Sequence, residues 1–224
     1  MKGKVFTAQE VQAIIAGNKT QFREVIKPQP NDQQKHIHKT TFSQKKEKIG
    51  EVFLSNHDFS DFLSRKRLEE KIKCPYQVGQ KIFCKESFIT TQFGKAVYRM
   101  DAIDQGGARW HSIEPMDPKR EVLWKPAQHM KQEHSRLTLL IKEIGVERLG
   151  DISEEDCLKE GIRGFYSEDL KAKVAEDWKS RPESYLRKWG FKELWNATHK
   201  KPEEKFEASP WVWVVSFEVV EGVL

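Results

Sequence analysis

Apolar positions along the chain fall into short runs with two periods, one helical and one alternating. Thr7-Ala8-Gln9-Glu10 fits a capping box, in which the threonine hydroxyl accepts from a first-turn amide while Glu10 reaches back. Val11, Ile14 and Ile15 then line one helical face, and Gly17 stands where a helix needs positive φ to end. Lys19-Thr20-Gln21-Phe22-Arg23 predicts a tight polar turn before strand-like Val25-Ile26 and Pro28. Tyr76 to Gln80 reads as a turn, Lys81-Ile82-Phe83-Cys84 as a strand, and Ala96 to Met100 as a second strand broken by Asp104-Gln105-Gly106-Gly107.

Residues 108–135 are the least regular stretch. Pro115, Pro118 and Pro126 exclude a regular element, whereas Trp110 and Trp124 either cover the core or wall a base-binding pocket. Leu137 to Ile141 predicts a strong strand continuing to Val146. Ser153-Glu154-Glu155-Asp156 opens a helix with negative charge where the helix dipole favours it. That helix carries Cys157 and Leu158 and ends near Gly161, so Glu160 falls in its last turn, an unfavourable end for a carboxylate that a partner lysine would offset. Helices are predicted over 167–178 and 183–198, the second with Leu186, Trp189, Leu194 and Trp195 as its apolar face. In the closing strand Trp211, Trp213, Val215 and Phe217 alternate onto one face. There is no internal repeat.

Composition narrows the class. A chain of 224 residues with 38% hydrophobic positions can bury a core, and 33% charged residues imply a heavily charged surface. The net charge of +5 and pI near 8.9 permit a nucleic-acid partner only through a local basic patch. Cys74, Cys84 and Cys157 form no Cys-x-x-Cys pair, which fits a reduced interior. No stretch approaches the roughly 20 apolar residues of a membrane helix, and the basic start lacks a signal-peptide run; the expected location is cytoplasmic. From Asn31 to about Lys73 the chain turns to Gln, Lys, His and Ser. His36 and His38 lie there without Cys or carboxylate partners at ligand spacing, so no metal site is expected.

Several blocks stand in a fixed order. Gly17-x-Lys19-Thr20-x-x-Arg23 precedes Val25-Ile26-Lys27-Pro28-Gln29-Pro30, then Cys74-Pro75-Tyr76 with Gly79, Lys85-Glu86-Ser87-Phe88, and Tyr98-Arg99-Met100-Asp101. Trp124-Lys125-Pro126 with His129-Met130, Ser135-Arg136-Leu137-Thr138-Leu139, Val146-Glu147-Arg148-Leu149, Asp151 to Asp156, Glu160-Gly161-Ile162 and Pro210 to Glu218 follow. This ordered set resembles the ASCH-domain family, in the form found in phages and prophages.

The resemblance implies an α+β fold, a PUA-like β-barrel with flanking helices. A single domain over 1–224 is expected, with a mobile polar insert at about 31–73 and a helical insert at about 167–198. Similar domains bind RNA or single nucleosides; one branch hydrolyses the N4-acyl group of modified cytidine, and another member is reported to cut RNA. In the hydrolytic branch a lysine, a threonine three residues later and a distant glutamate carry catalysis. These fall on Lys19, Phe22 and Glu160. Phenylalanine has no atom that attacks a carbonyl, so the same design needs water or Thr20 as the attacking group.

The expected catalytic set is therefore Lys19, Glu160 and Thr20. The nucleic-acid or nucleotide contacts are expected at Lys19, Thr20, Phe22, Arg23, Glu86, Arg99, Lys125, His129, Ser135 and Arg136. Lys19 and Arg23 would neutralise a phosphate, Glu160 would accept from an exocyclic amine or sugar hydroxyl, and Phe22 would either stack a base or sit in the core. Binding of RNA, single-stranded nucleic acid or a modified nucleotide comes first, hydrolysis second, and a host-protein interaction through the 31–73 or 167–198 region third. No cofactor is expected.

Overall fold

The computed structural model describes residues 1–30, 36–39, 51–55, 72–91, 93–99, 101, 124–162 and 182–222. Most of the expected 31–73 insert, the helix over 167–178, Trp110, Pro115 and Pro118 lie outside these residues.

In chain order the strands and helices are β1 (Lys2–Val5), α1 (Ala8–Ile15), β2 (Gln21–Val25), β3 (His36–Lys39), β4 (Glu51–Ser55), β5 (Ile72–Gln77), β6 (Lys81–Lys85), β7 (Phe88–Thr90), β8 (Ala96–Tyr98), β9 (Leu137–Arg148), α2 (Glu154–Lys159), α3 (Glu183–Thr198) and β10 (Trp211–Gly222). The class is mixed α+β with a core built mainly on sheet. Among the described residues no closed barrel forms. No helix among them is long and apolar enough to cross a membrane.

The chain divides into two compact units. The first holds Met1–Gly17, Lys81–Leu140 and Glu218–Leu224. Here β1 runs parallel to β6, and Lys81–Phe83 of β6 pairs antiparallel with Thr138–Leu140 of β9. The predicted capping box is formed: Thr7 Oγ1 accepts from Glu10 N at 3.3 Å, and Glu10 Oε2 accepts from Thr7 N at 2.8 Å. Val11 and Ile14 are buried, and Gly17 ends the helix turn at φ +69°. The leading strand β1 over Lys2-Gly3-Lys4-Val5 was not legible in the sequence. Gly3 is needed there, because a Cβ would stand 2.6 Å from the Phe83 ring. β7 and β8 form a short hairpin, and Lys125 adds one bridge to Phe88.

The second unit holds Asn18–Gln80 and Ile141–Phe217. β2 pairs antiparallel with Val212–Ser216 of β10, while β3, β4 and β5 form an antiparallel sheet of their own. β2 starts at Gln21, four residues before the predicted strand at Val25. Phe217 N donates to Thr20 O at 2.9 Å, so the polar stretch is drawn into the ladder with β10. The expected alternation in β10 appears at buried Trp213, Val215 and Phe217. Its other face is covered too: Val212 packs with Leu149, Ile152, Cys157, Ile162, Phe191 and Trp195. The apolar face of α3 accordingly centres on Phe191 and Trp195, and Leu194 is exposed.

Candidate functional site

Two clusters gather some of the residues singled out from sequence, Lys19, Arg23 and Glu160 in the second unit and Glu86, Ser135 and Arg136 in the first.

In the second unit, strand alternation puts Lys19, Gln21 and Arg23 on one side of the chain and Thr20 and Phe22 on the other. α2 brings the partners. Ser153 Oγ caps its start by accepting from Asp156 N at 3.0 Å. Its end is a Schellman closure: Ile162 N donates to Cys157 O at 2.9 Å, Gly161 N donates to Leu158 O at 2.9 Å, and Gly161 takes φ +89°. The closure leaves Glu160 in a single antiparallel bridge with Lys19, and Thr20 N donates to Lys159 O at 2.8 Å.

Lys19 Nζ donates to Glu160 Oε2 at 2.6 Å and to the Glu160 carbonyl at 3.2 Å. Arg23 Nη1 donates to the other carboxylate oxygen, Oε1, at 2.8 Å, and to Gln21 Oε1 at 3.0 Å. Arg23 Nε donates to Glu147 Oε1 at 2.7 Å. Its Nη2 lies 2.7 Å from that same Glu147 oxygen and 3.3 Å from Asp156 Oδ2, but is aligned with neither as a hydrogen bond. Those two contacts are therefore electrostatic. Burial pulls the Arg23 guanidinium down, and Glu160 and Glu147 more than offset it, so its pKa stands above the usual arginine value. Lys19 is 2% exposed and Glu160 8%. Two cations face three carboxylates, which leaves no surplus positive charge.

This geometry corrects one expectation and decides between the two alternatives for Phe22. Lys19 and Arg23 do not present charge to a phosphate, because both are buried and paired with carboxylates. Phe22 does not stack a base: it is 2% exposed, edge-on to Tyr76 with ring centres 5.2 Å apart and tilted against Phe217 at 6.0 Å. Thr20 is exposed and points by alternation away from the side that carries Lys19, so it does not join the Lys19–Glu160 pair. Cys157, beside Arg23 and Glu160, is pushed up to about 11 by burial, with Arg23 pulling the other way, and stays a thiol at neutral pH. Glu147 and Asp156 complete the cluster. Sequence reading placed them in blocks but gave them no role; the odd-numbered polar positions 19, 21 and 23, which demand buried partners, were the available signal.

In the first unit Arg136 grips Glu86 with two prongs, Nε to Oε1 and Nη2 to Oε2, both at 2.9 Å. Its Nη1 donates to both Asp101 oxygens at 2.9 and 3.0 Å, and the guanidinium carbon lies 4.2 Å from the centre of the Tyr98 ring. Burial raises the Glu86 carboxyl above its ordinary value, with Arg136 pulling it back. For Arg136 the pairing with Glu86 and Asp101 outweighs burial, and its pKa is raised. The two directions pull apart, burial winning at Glu86 and pairing winning at Arg136, and the two-pronged geometry is what marks the contact as an ion pair. Ser135 Oγ donates to Cys84 O at 2.8 Å, a tie at the start of β9. Glu86, just after β6, thus pairs with Arg136, just before β9, and Ser135 ties the start of β9 to Cys84 of β6.

Arg99, Lys125 and His129 are exposed. Lys125 Nζ donates to Thr90 Oγ1 at 3.1 Å and lies 5.7 Å from the centre of the Phe88 ring. Neither Arg99 nor Lys125 has a carboxylate partner among the described residues. His129 shares a 3.4 Å contact with Gln128 Nε2. Among the described residues no group of three or more His, Cys, Asp or Glu side chains is placed to hold a metal ion.

No family model matches the chain, and no curated protein or solved structure matches it either.

Proposed function

We propose that this chain is an ASCH-type domain of PUA-like fold that binds RNA, single-stranded nucleic acid or a modified nucleotide. The observation that carries this reading is a division among the cations. Lys19, Arg23 and Arg136 are neutralised by carboxylates, whereas Arg99 and Lys125 are exposed without a carboxylate partner among the described residues. Unpaired surface cations are the groups that release counterions on meeting a phosphate chain. The Lys19–Glu160–Arg23 cluster then serves to fix the end of α2 against β2. Titration of a labelled short RNA and its DNA counterpart, with Arg99→Ala and Lys125→Ala beside wild type, tests the reading: weaker, less salt-dependent binding in the variants is expected, and equal binding would refute it.

A second reading is hydrolysis of an N4-acylated cytidine or of RNA. It is favoured by one observation, the 2.6 Å contact between Lys19 Nζ and Glu160 Oε2, which joins the two residues that the family resemblance designates as an acid/base pair. In this reading water is the nucleophile, since Phe22 lies in the core and Thr20 on the far side of the strand. Release of cytidine from N4-acetylcytidine by wild type, lost in Glu160→Gln that remains folded, would establish it. Absence of turnover leaves the binding reading.

A further inference from the structure

The chain from Ser87 to Met100 carries no acidic residue, while Glu86 and Asp101 bracket it. Within this run β7 and β8 pair as Phe88↔Tyr98, Ile89↔Val97 and Thr90↔Ala96. The hairpin is tied at both ends. At the tip, Gly94 N donates to Thr91 O at 2.9 Å, Thr91 N to Lys95 O at 2.9 Å, and Lys95 N to Thr91 Oγ1 at 3.1 Å. Gly94 takes φ +77°, a conformation that a side chain at that position would resist. At the base, Arg99 N donates to Ser87 O at 2.9 Å.

On this tip stands Phe93, 87% exposed, more so than the other large apolar side chains at the surface among the described residues. A single exposed apolar residue is ordinary by itself. What distinguishes Phe93 is its setting. Lys95 follows it at the tip, Arg99 at the base, and Lys125 lies along the Phe88/Thr90 edge. Lys95 and Arg99, four residues apart along extended chain, are separated by roughly 13 Å. The hairpin thus offers an exposed ring at its tip, cations at the tip, base and edge, and no carboxylate between Ser87 and Met100. Base–aromatic stacking combined with a cationic track is the recurring recognition mode for unpaired bases. A protein partner for an exposed phenylalanine gains nothing from an acid-free, cationic flank unless it is itself acidic.

We propose that Phe93 is a stacking platform for an unpaired base of a single-stranded nucleic acid, with Lys95, Arg99 and Lys125 contacting its phosphates. The inference rests on the nucleic-acid-binding reading and adds its strandedness and its contact residue.

The test uses the full chain and a fluorescein-labelled oligouridine, its deoxy counterpart and a duplex of equal length, followed by anisotropy. Phe93→Leu keeps an apolar side chain of similar bulk and removes the ring; Phe93→Trp enlarges the ring. The expected result is about tenfold weaker single-strand binding for Phe93→Leu, wild-type or tighter binding for Phe93→Trp, an unchanged salt slope in both, and weaker binding of the duplex by all forms. Single-strand binding by wild type that Phe93→Leu leaves unchanged overturns the platform and leaves the general reading standing. Duplex bound as well as single strand also overturns it. No binding of either strand by wild type overturns both. Equal affinities for the ribo and deoxy strands support stacking as the dominant contact, since the base is presented by both.

Discussion

Lys19 and Arg23 hold opposite oxygens of one carboxylate, that of Glu160, at 2.6 and 2.8 Å. One glutamate therefore pairs with two buried cations on the same side of the chain, Lys19 just before β2 and Arg23 within it, with Gln21 between them. Its removal takes a carboxylate from both at once, although Arg23 keeps Glu147 and Asp156 and Lys19 keeps the main-chain carbonyl of residue 160, whereas removal of Lys19 leaves Glu160 still paired with Arg23. Breaking a buried ion pair from one side costs roughly 3–5 kcal/mol. Glu160→Ala is expected to lie in that range and Lys19→Met clearly below it, read as shifts in urea midpoint at constant m-value. A larger loss in Lys19→Met would contradict the shared-carboxylate account.

Phe22 separates a packing role from a ligand role. Buried against Tyr76 and Phe217, it should lose on the order of 1–2 kcal/mol as Phe22→Leu through unfilled core volume. Oligonucleotide affinity of the folded variant should equal that of wild type. An intact midpoint with lost affinity would return Phe22 to the binding surface.

Gly17 isolates a backbone effect. A Cβ there would meet no atom within 4 Å, so Gly17→Ala carries only the penalty of a left-handed conformation at φ +69°. The expected loss is about 1 kcal/mol by thermal unfolding, and Gly17→Asn should lose less.

Glu86 gives a pH dependence with a definite sign. Its carboxyl is raised above 4.5 in the folded state, chiefly by burial. A carboxyl raised on folding contributes stability that is present below the unfolded value and is lost as pH rises through the folded value. Comparing urea midpoints of wild type and Glu86→Gln from pH 4 to pH 7, wild type should lose ground to the variant as pH rises above about 4.5. The two-pronged Arg136 contact is made by the ionised carboxylate, so it acts against burial over the same pH range. A wild type that gains on the variant with rising pH would show that the pairing with Arg136 outweighs burial.

Local signals carried far in this sequence. The Thr7/Glu10 box, the Gly17 stop, the Ser153 cap, the Gly161 closure and the span of α3 are each written in residues within a few positions of one another, and each is found in the structure. The Lys19–Glu160 contact spans 141 positions and was legible only because the ASCH resemblance named both residues. What sequence did not disclose is which cations would be neutralised. Nothing local distinguishes Arg23, held by carboxylates at 147, 156 and 160, from Arg99, exposed after β8. Phe22 and Phe93 pose the same problem. Both are single aromatics in polar surroundings, and only the pairing of β2 with β10 sends one inward while the hairpin tip leaves the other outside.

Arg99 and Lys125 are the cations proposed to meet phosphates. The most direct measurement is the slope of log Kd against log salt for a labelled single-stranded oligonucleotide, taken for wild type and for the Arg99→Ala/Lys125→Ala double variant. Each phosphate contact on a single strand contributes about 0.7 to that slope, so the double variant should fall short of wild type by about 1.4. Equal slopes, or no binding by wild-type protein at low salt, would contradict the account.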